Sequence, residues 1–307
     1  MTVSPEKCCS MQKPSEFSSG GVTPPLQEVD FMKVLAIFLL TLGCVVAANT
    51  MSEAVREDDM ALYLSFDEVK GDTAIDKSKH GNDATIHKGK IAKGKHGDSV
   101  ELSGEAGGWI EVPDSDSLDI TDEITLMCWV YPTEFTNEWF RIIVKTWAGD
   151  TAPWMVYGFY EFGGNNGKTG FIISVDKGSE KRIGDATTSN LPPKKWTHVT
   201  ATYDGSRMAL YYNGEVEVDG DAKGKIDTND VPVSIGRNSE GNREHYIGRV
   251  DEVAIWSVAL TQGEIQEAMD RVYAVEPEGK LPTRWGAIKG GYLKVPEALH
   301  PRVPYWQ

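Results

Sequence analysis

The sequence predicts an all-β protein, a sandwich or jelly roll of antiparallel strands with one short C-terminal helix. Three observations carry that prediction. From residue 61 onward apolar and polar residues alternate in short runs, the two-residue period of strands. Turn-forming pairs such as Asp204-Gly205 and Asn213-Gly214 separate those runs. Only the stretch after Thr261 follows helical spacing.

The first strand is Leu62, Leu64 and Phe66 alternating with Tyr63 and Ser65. Trp109-Ile110-Glu111-Val112 is a short strand that stops at Pro113. Ile124, Leu126, Cys128 and Val130 then share one strand face, and Thr125, Met127, Trp129 and Tyr131 share the other. Both faces are largely apolar, so this strand is predicted to be central in a layered structure. Further strands are expected at 141–146, 154–160, 169–175, 196–203, 207–213, 231–236 and 246–256, with 196–218 reading as a meander. The helix opens on Thr261 with Glu264 three residues on, a capping-box spacing. Ile265, Ala268, Met269 and Val272 fall on one face of it. Residues 274–307 are Pro-rich and read as a tail.

The N-terminus carries a targeting pattern. Met32-Lys33 precedes the apolar run Val34 to Ala48, which is too short to span a bilayer comfortably and has the form of a signal peptide over 32–48. Val46-Ala47-Ala48 places cleavage before Asn49. Residues 1–31 show no periodicity and read as a mis-called start or leader, and 49–60 as a linker. Leu42-Gly43-Cys44 partly matches a lipobox, so anchoring through Cys44 is the alternative. After cleavage Cys128 alone survives, a buried core thiol, so no intramolecular disulfide forms. The expected destination is secreted, periplasmic or cell-surface, with no membrane span after cleavage.

The chain of 307 residues carries 46 acidic and 31 basic side chains, a net charge of −15. The first 48 residues hold three Lys and four Asp or Glu, so the remainder stays acidic. A phosphate-backbone binder needs a basic footprint, which excludes general nucleic-acid binding.

Seven segments resemble the LamG-like jelly-roll family of the concanavalin A-like lectin/glucanase superfamily. They are Leu62 to Glu68 (LYLSFDE), Lys79 to Thr85 (KHGNDAT), Trp109 to Leu118 (WIEVPDSDSL), Ile124 to Pro132 (ITLMCWVYP), Trp196 to Gly214 (WTHVTATYDGSRMALYYNG), Val233 to Asn238 (VSIGRN) and Ile247 to Glu264 (IGRVDEVAIWSVALTQGE). They occur in the family's order across 61–270. The resemblance implies one domain over 61–273, a two-sheet antiparallel jelly-roll sandwich, with the first strand pairing near the last. It implies no single function, because the fold carries lectins, adhesion modules and hydrolases.

The resemblance also implies a structural calcium where the first strand, the following Gly-Asn turn and the last strand meet. The matching positions are Asp67, Gly81 and Asn82 through their carbonyls, and Asp251. Hard cations take such oxygens. Asp251 sits between aliphatics, where a carboxylate is costly unless paired. Arg249 or Lys79 supplies the pairing if calcium does not.

Sugar binding needs flat apolar faces beside polar groups. The segment 135–170 is dense in aromatics, and Trp139, Trp147, Trp154, Tyr157 and Tyr160 are its candidate ligand-binding residues. Core packing competes for each of them. The expected function is non-catalytic binding of an extracellular glycan. An adhesion module that binds a surface protein is the alternative.

A glycoside hydrolase is the third reading, and its motif is incomplete. Catalysis needs two flanking carboxylates. Glu217-Val218-Asp219 begins a Glu-x-Asp-x-x-Glu strand motif, but Ala222 fills the third place. Gly163 to Thr169 resembles a phosphate loop, yet Phe162 stands where the first Gly belongs and a strand follows. The six histidines show no zinc spacing.

Overall fold

The computed structural model describes residues 57–270, apart from 105–107, 136–138, 148–151, 162–166, 185–188 and 241–242. The signal peptide, the residues before it, Cys44 and the tail lie outside the described residues.

Two antiparallel sheets form the sandwich. The first contains β1 (Met60–Leu64), β5 (Lys90–Lys93), β6 (Asp98–Ser103), β8 (Ile124–Pro132), β13 (Thr197–Tyr203), β14 (Arg207–Tyr212), β15 (Glu215–Asp221) and β17 (Ile247–Trp256). Its order is β15-β14-β13-β8-β17-β6-β5. The second contains β2 (Val69–Lys70), β3 (Thr73–Ala74), β4 (Ala84–His87), β7 (Trp109–Val112), β9 (Arg141–Thr146), β10 (Met155–Glu161), β11 (Thr169–Val175), β12 (Ser179–Ile183) and β16 (Val233–Ile235). Its order is β12-β11-β10-β9-β16-β7-β4-β3-β2.

The first strand does meet the last. One edge of β17 pairs with β6 through Ile247 to Val250, then with β1 through Val253 to Trp256. The hand-over is a bulge between Asp251 and Ala254, where Glu252 adopts φ +50°. A bulge inserts an unpaired residue and bends the strand, and here it turns two acidic side chains to the point where β6 stops and β1 starts.

The inner faces close over one apolar core. Ile124, Leu126, Cys128 and Val130 of β8 enter it, as the alternation predicts. Burial pushes the Cys128 thiol far above its usual range, so it is an inert core group. The outer side of β8 is covered too. Met127 packs with Tyr63, Trp256, Tyr211 and the helix α1 (Gln262–Asp270) through Ile265 and Ala268. The expected cap is present: Thr261 N–H donates to Glu264 Oε2 at 2.6 Å and Glu264 N–H to Thr261 Oγ1 at 3.3 Å. This exchange satisfies donors that the first turn would otherwise leave orphaned.

The short strands β2 to β6 and β12 escaped the periodicity reading. They are two to six residues long, too short for alternation to stand out, although Ala84 and Ile86 of β4 and Val100 and Leu102 of β6 enter the core.

Candidate functional site

The outer face of the second sheet carries a cleft of about 310 Å³, lined by Trp139, Arg141, Trp154, Tyr160, Ile172, Arg182 and Glu244. Cross-strand register explains why these side chains meet. Arg182 pairs with Ile172, Ile172 with Gly158 and Gly158 with Val144. Paired residues share a sheet face, so one transverse row crosses β12, β11, β10 and β9. Glycine at the middle of that row leaves it without a side chain.

Tyr160 is the ring about which the cleft is built. It is fully buried beside Ile172, Val144 and Met155, outside the inter-sheet core. Trp139 stacks on it with centroids 6.1 Å apart and planes at 23°. The Arg182 guanidinium lies 6.0 Å from the ring centroid on the same tyrosine. Trp139 and Trp154 keep 39% and 44% of their surface exposed, which makes them two of the four large exposed apolar side chains among the described residues.

The polar side of the cleft is an ion pair. Arg141 Nη2 lies 3.1 Å from Glu244 Oε2, and the Arg141 N–H donates to the Glu244 carbonyl at 3.1 Å. Glu244 Oε2 also accepts from Asn238 Nδ2 at 2.9 Å. Arg141 is buried, and its Nη1 has no hydrogen-bond partner. Burial pulls its guanidinium below the usual range, while Glu244 pulls it back up. Arg182 ion-pairs with Glu180.

Of the five aromatic candidates, Trp139, Trp154 and Tyr160 meet here. Tyr157 is corrected. It lies inside the inter-sheet core, fully buried, with its hydroxyl donating to the Leu118 carbonyl at 3.0 Å. One residue of strand alternation separates it from the cleft face. Trp147 is half-buried against the core and lines a different groove, with Asp176, Lys177, Lys225 and Asp227. Arg141, Arg182 and Glu244 were not anticipated. They lie far apart in sequence, and no local spacing marks an arginine in a strand as a cleft residue.

The four candidate calcium positions fall into two hydrogen-bonded groups. Asp251 Oδ2 accepts the N–H groups of Lys95 and His96 at 2.8 and 3.0 Å, and its Oδ1 accepts from Glu252 N–H. Asp67 Oδ1 accepts the Asp98 N–H at 2.8 Å. Both carboxylates therefore hold the 94–98 loop. Neither Arg249 nor Lys79 is the partner of Asp251: Arg249 pairs with Glu101, and Lys79 lies 3.9 Å from Asp58. The Gly81-Asn82 turn belongs to a second group centred on Asp76. Asp76 accepts from Tyr63 N–H, Ser78 and Asn82 N–H, and Asn82 Nδ2 donates to the Ala61 carbonyl and Ser117.

Beside Asp251, the Glu252 carboxylate accepts from the Tyr63 hydroxyl through Oε2, and its buried Oε1 has no partner. Burial pushes Asp251 up to about 8 and Glu252 up to about 7. Neighbouring charge adds to both, Glu252 acting on Asp251 and Asp67 on Glu252. Among the described residues no three His, Cys, Asp or Glu side chains converge to hold a metal. No described helix is long and apolar enough to cross a membrane.

Comparison with known proteins agrees with the fold. Human pappalysin-1 is 29% identical over 141 residues, 44% of this chain and 8% of that protein, and mouse pappalysin-1 matches equally over 9% of its length. The match thus spans under a tenth of either relative. Domain 4 of AbnA, an extracellular GH43 arabinanase from Geobacillus stearothermophilus solved in complex with arabinotriose, superposes with a TM-score of 0.54. It is 20% identical and covers 68% of this chain and 98% of that one. The binding domain of Paraclostridial Mosquitocidal Protein 1 gives 0.55 at 18% identity, covering 69% and 52%. The ligand-binding domain of botulinum neurotoxin serotype D, in complex with N-acetylneuraminic acid, gives 0.53 at 17%, covering 69% and 50%. A laminin-G family model (Laminin_G_3) matches residues 103–266, just over half of the sequence, and the chain belongs to the concanavalin A-like lectin/glucanase superfamily.

Proposed function

We propose that this chain is a non-catalytic carbohydrate-binding module, secreted or held at the cell surface, and that the Trp139–Trp154–Tyr160 cleft is its saccharide site. One observation carries the reading. Two part-exposed indoles flank a buried tyrosine over a polar floor of Arg141 and Glu244. Flat apolar faces match sugar C–H surfaces, and convergent polar groups fix orientation. Two neighbours of the same fold are named for sugar complexes, which supports the class without naming the sugar. Glu244 is the single carboxylate among the described lining residues, whereas glycoside hydrolysis needs two. A glycan array with residues 49–307 tests the reading. Binding that Trp154→Ala removes supports it. Silence on the array, with capture of a surface protein instead, favours the adhesion alternative.

A structural calcium belongs to the same proposal, as support for the fold rather than for recognition. Asp67 and Asp251 hold the 94–98 loop, Glu252 follows Asp251 in the strand, and Asp251 and Glu252 are buried with raised proton affinity. A cation there would stabilise their charged forms. Main-chain carbonyls would have to complete its shell, because the Gly81-Asn82 turn is engaged with Asp76. Chelation at pH 8 should lower Tm, and an unchanged Tm in protein shown to be calcium-loaded removes the metal.

A further inference from the structure

We propose that the cleft selects an acidic saccharide, one bearing a carboxylate, and that Arg141 is the residue that reads it. This rests on the saccharide reading of the same cleft. Three observations lead to it.

The first is the unsatisfied donor. Arg141 lines the cleft from a buried position, and its Nη1 has no hydrogen-bond partner. A guanidinium carries five N–H donors, and leaving one buried and unpaired is costly. Its Nη2 is engaged with Glu244, so Nη1 is the end of the fork left without a partner.

The second is charge. Arg141 and Arg182 both line the cleft; Arg182 is paired with Glu180, while the carboxylate that pairs with Arg141, Glu244, is shared with Asn238. Arg243 also acts on Arg141 as a like charge. A sugar hydroxyl would satisfy the unpartnered Nη1 with an ordinary hydrogen bond. An anion satisfies it with a charge-assisted one, the stronger contact. At physiological salt the distant acids are screened beyond about 8 Å, so the near field decides.

The third is shape. The buried Tyr160 ring holds Trp139 and Arg182 against it, and the part-exposed Trp139 and Trp154 are the cleft's flat faces. A pyranose stacked in the cleft can rest its ring on the aromatics and turn a ring substituent to Arg141. Glu244, beside it in the cleft, positions Arg141 through both the side-chain pair and the main-chain bond.

The test compares three tetrasaccharides of one backbone by titration calorimetry: a galactan, a galacturonan and a sulfated galactan. The galacturonan is expected to bind about tenfold tighter than the galactan, the worth of one charge-assisted contact. Arg141→Lys keeps the pair with Glu244 but loses the fork, and should erase most of that preference while the galactan still binds. Arg182→Gln, a surface change, should reduce the preference as well and guards against misfolding of the first variant. Tighter binding of the sulfated galactan alone would uphold an anion and replace the carboxylate as its source. Equal binding of neutral and acidic forms, or a preference that survives both variants, overturns the inference and leaves the saccharide reading standing. If none of the three binds, the glycan array decides. Acidic sugars among its ligands uphold the inference, only neutral ones overturn it, and silence overturns the saccharide reading together with it.

Discussion

Gly170 lies opposite Tyr160 on the neighbouring strand, and a Cβ at Gly170 would stand 2.5 Å from the tyrosine Cζ. The ring can lie across β11 only because that position has no side chain. Gly170→Ala should therefore force Tyr160 out of place, costing about 1–3 kcal/mol as overpacking does. Urea unfolding of a double-mutant cycle checks this. Tyr160→Ala should cancel most of the Gly170→Ala cost, because the overlap then has no second member. Additive losses would mean that the two residues do not compete for one space.

How far this was readable depends on distance along the chain. The two-sided burial of β8 follows from apolar residues on both faces of one nine-residue strand, and the Thr261–Glu264 cap from two residues three apart. Both are local patterns. The cleft is not local. Arg141 meets Glu244 across a hundred residues because β16 pairs with β9 and the chain after β16 returns to it, and Arg182 joins them because β9, β10, β11 and β12 are laid side by side. Alternation places Tyr157 and Tyr160 on opposite faces, but an aromatic strand does not declare which face is the core, so the sequence offers both as ligand residues. Asp251 was recognised as needing a partner, and its partners proved to be main-chain N–H groups, which no sequence spells out.

The acid pair at the β17 bulge sets a pH dependence. Asp251 and Glu252 are raised in the folded state to about 8 and about 7, from 3.8 and 4.5. The folded protein thus holds protons that the unfolded chain has released. Their contribution is fully present below about pH 4 and is lost as pH rises through 7 and 8. His198 opposes them. It is buried against Trp129 and lowered to about 3 from 6.5, so it costs stability as pH falls below 6.5. Two acids outweigh one histidine, and between 6.5 and 7 the histidine is silent. In chelated protein Tm should fall with rising pH, most steeply in that interval. Asp251→Asn should flatten the slope, and bound calcium should flatten it too. A Tm that climbs between pH 6.5 and 8 would contradict the raised carboxylates.

Lys145 of β9 is fully buried and ion-pairs with Asp114 and, at 3.3 Å, with Asp119. It ties the second sheet to the segment after β7. Removing one partner of a buried pair leaves an uncompensated charge, so Lys145→Met should cost about 3 kcal/mol or more. The Asp114→Asn, Lys145→Met double change should cost less than the single lysine change. Chemical denaturation of the three proteins measures it, and a loss below about 1 kcal/mol for Lys145→Met would show that the aspartates reach solvent without it.

Trp154 separates binding from stability. It adopts φ +31°, a conformation that a bulky L-residue rarely holds, and it is 44% exposed. An exposed indole buries little surface to offset a strained backbone of about 1–3 kcal/mol. Such strain persists where the position serves something other than folding. Glycine takes positive φ without that penalty, although its unfolded state gains entropy. Trp154→Gly should therefore leave Tm unchanged or slightly higher, while saccharide affinity falls at least tenfold. Trp139→Ala is the contrast. Its indole stacks on Tyr160, so affinity and Tm should fall together. If Trp154→Gly instead destabilises the fold as much as Trp139→Ala does, the indole is there for packing, and the cleft loses one of its two binding walls.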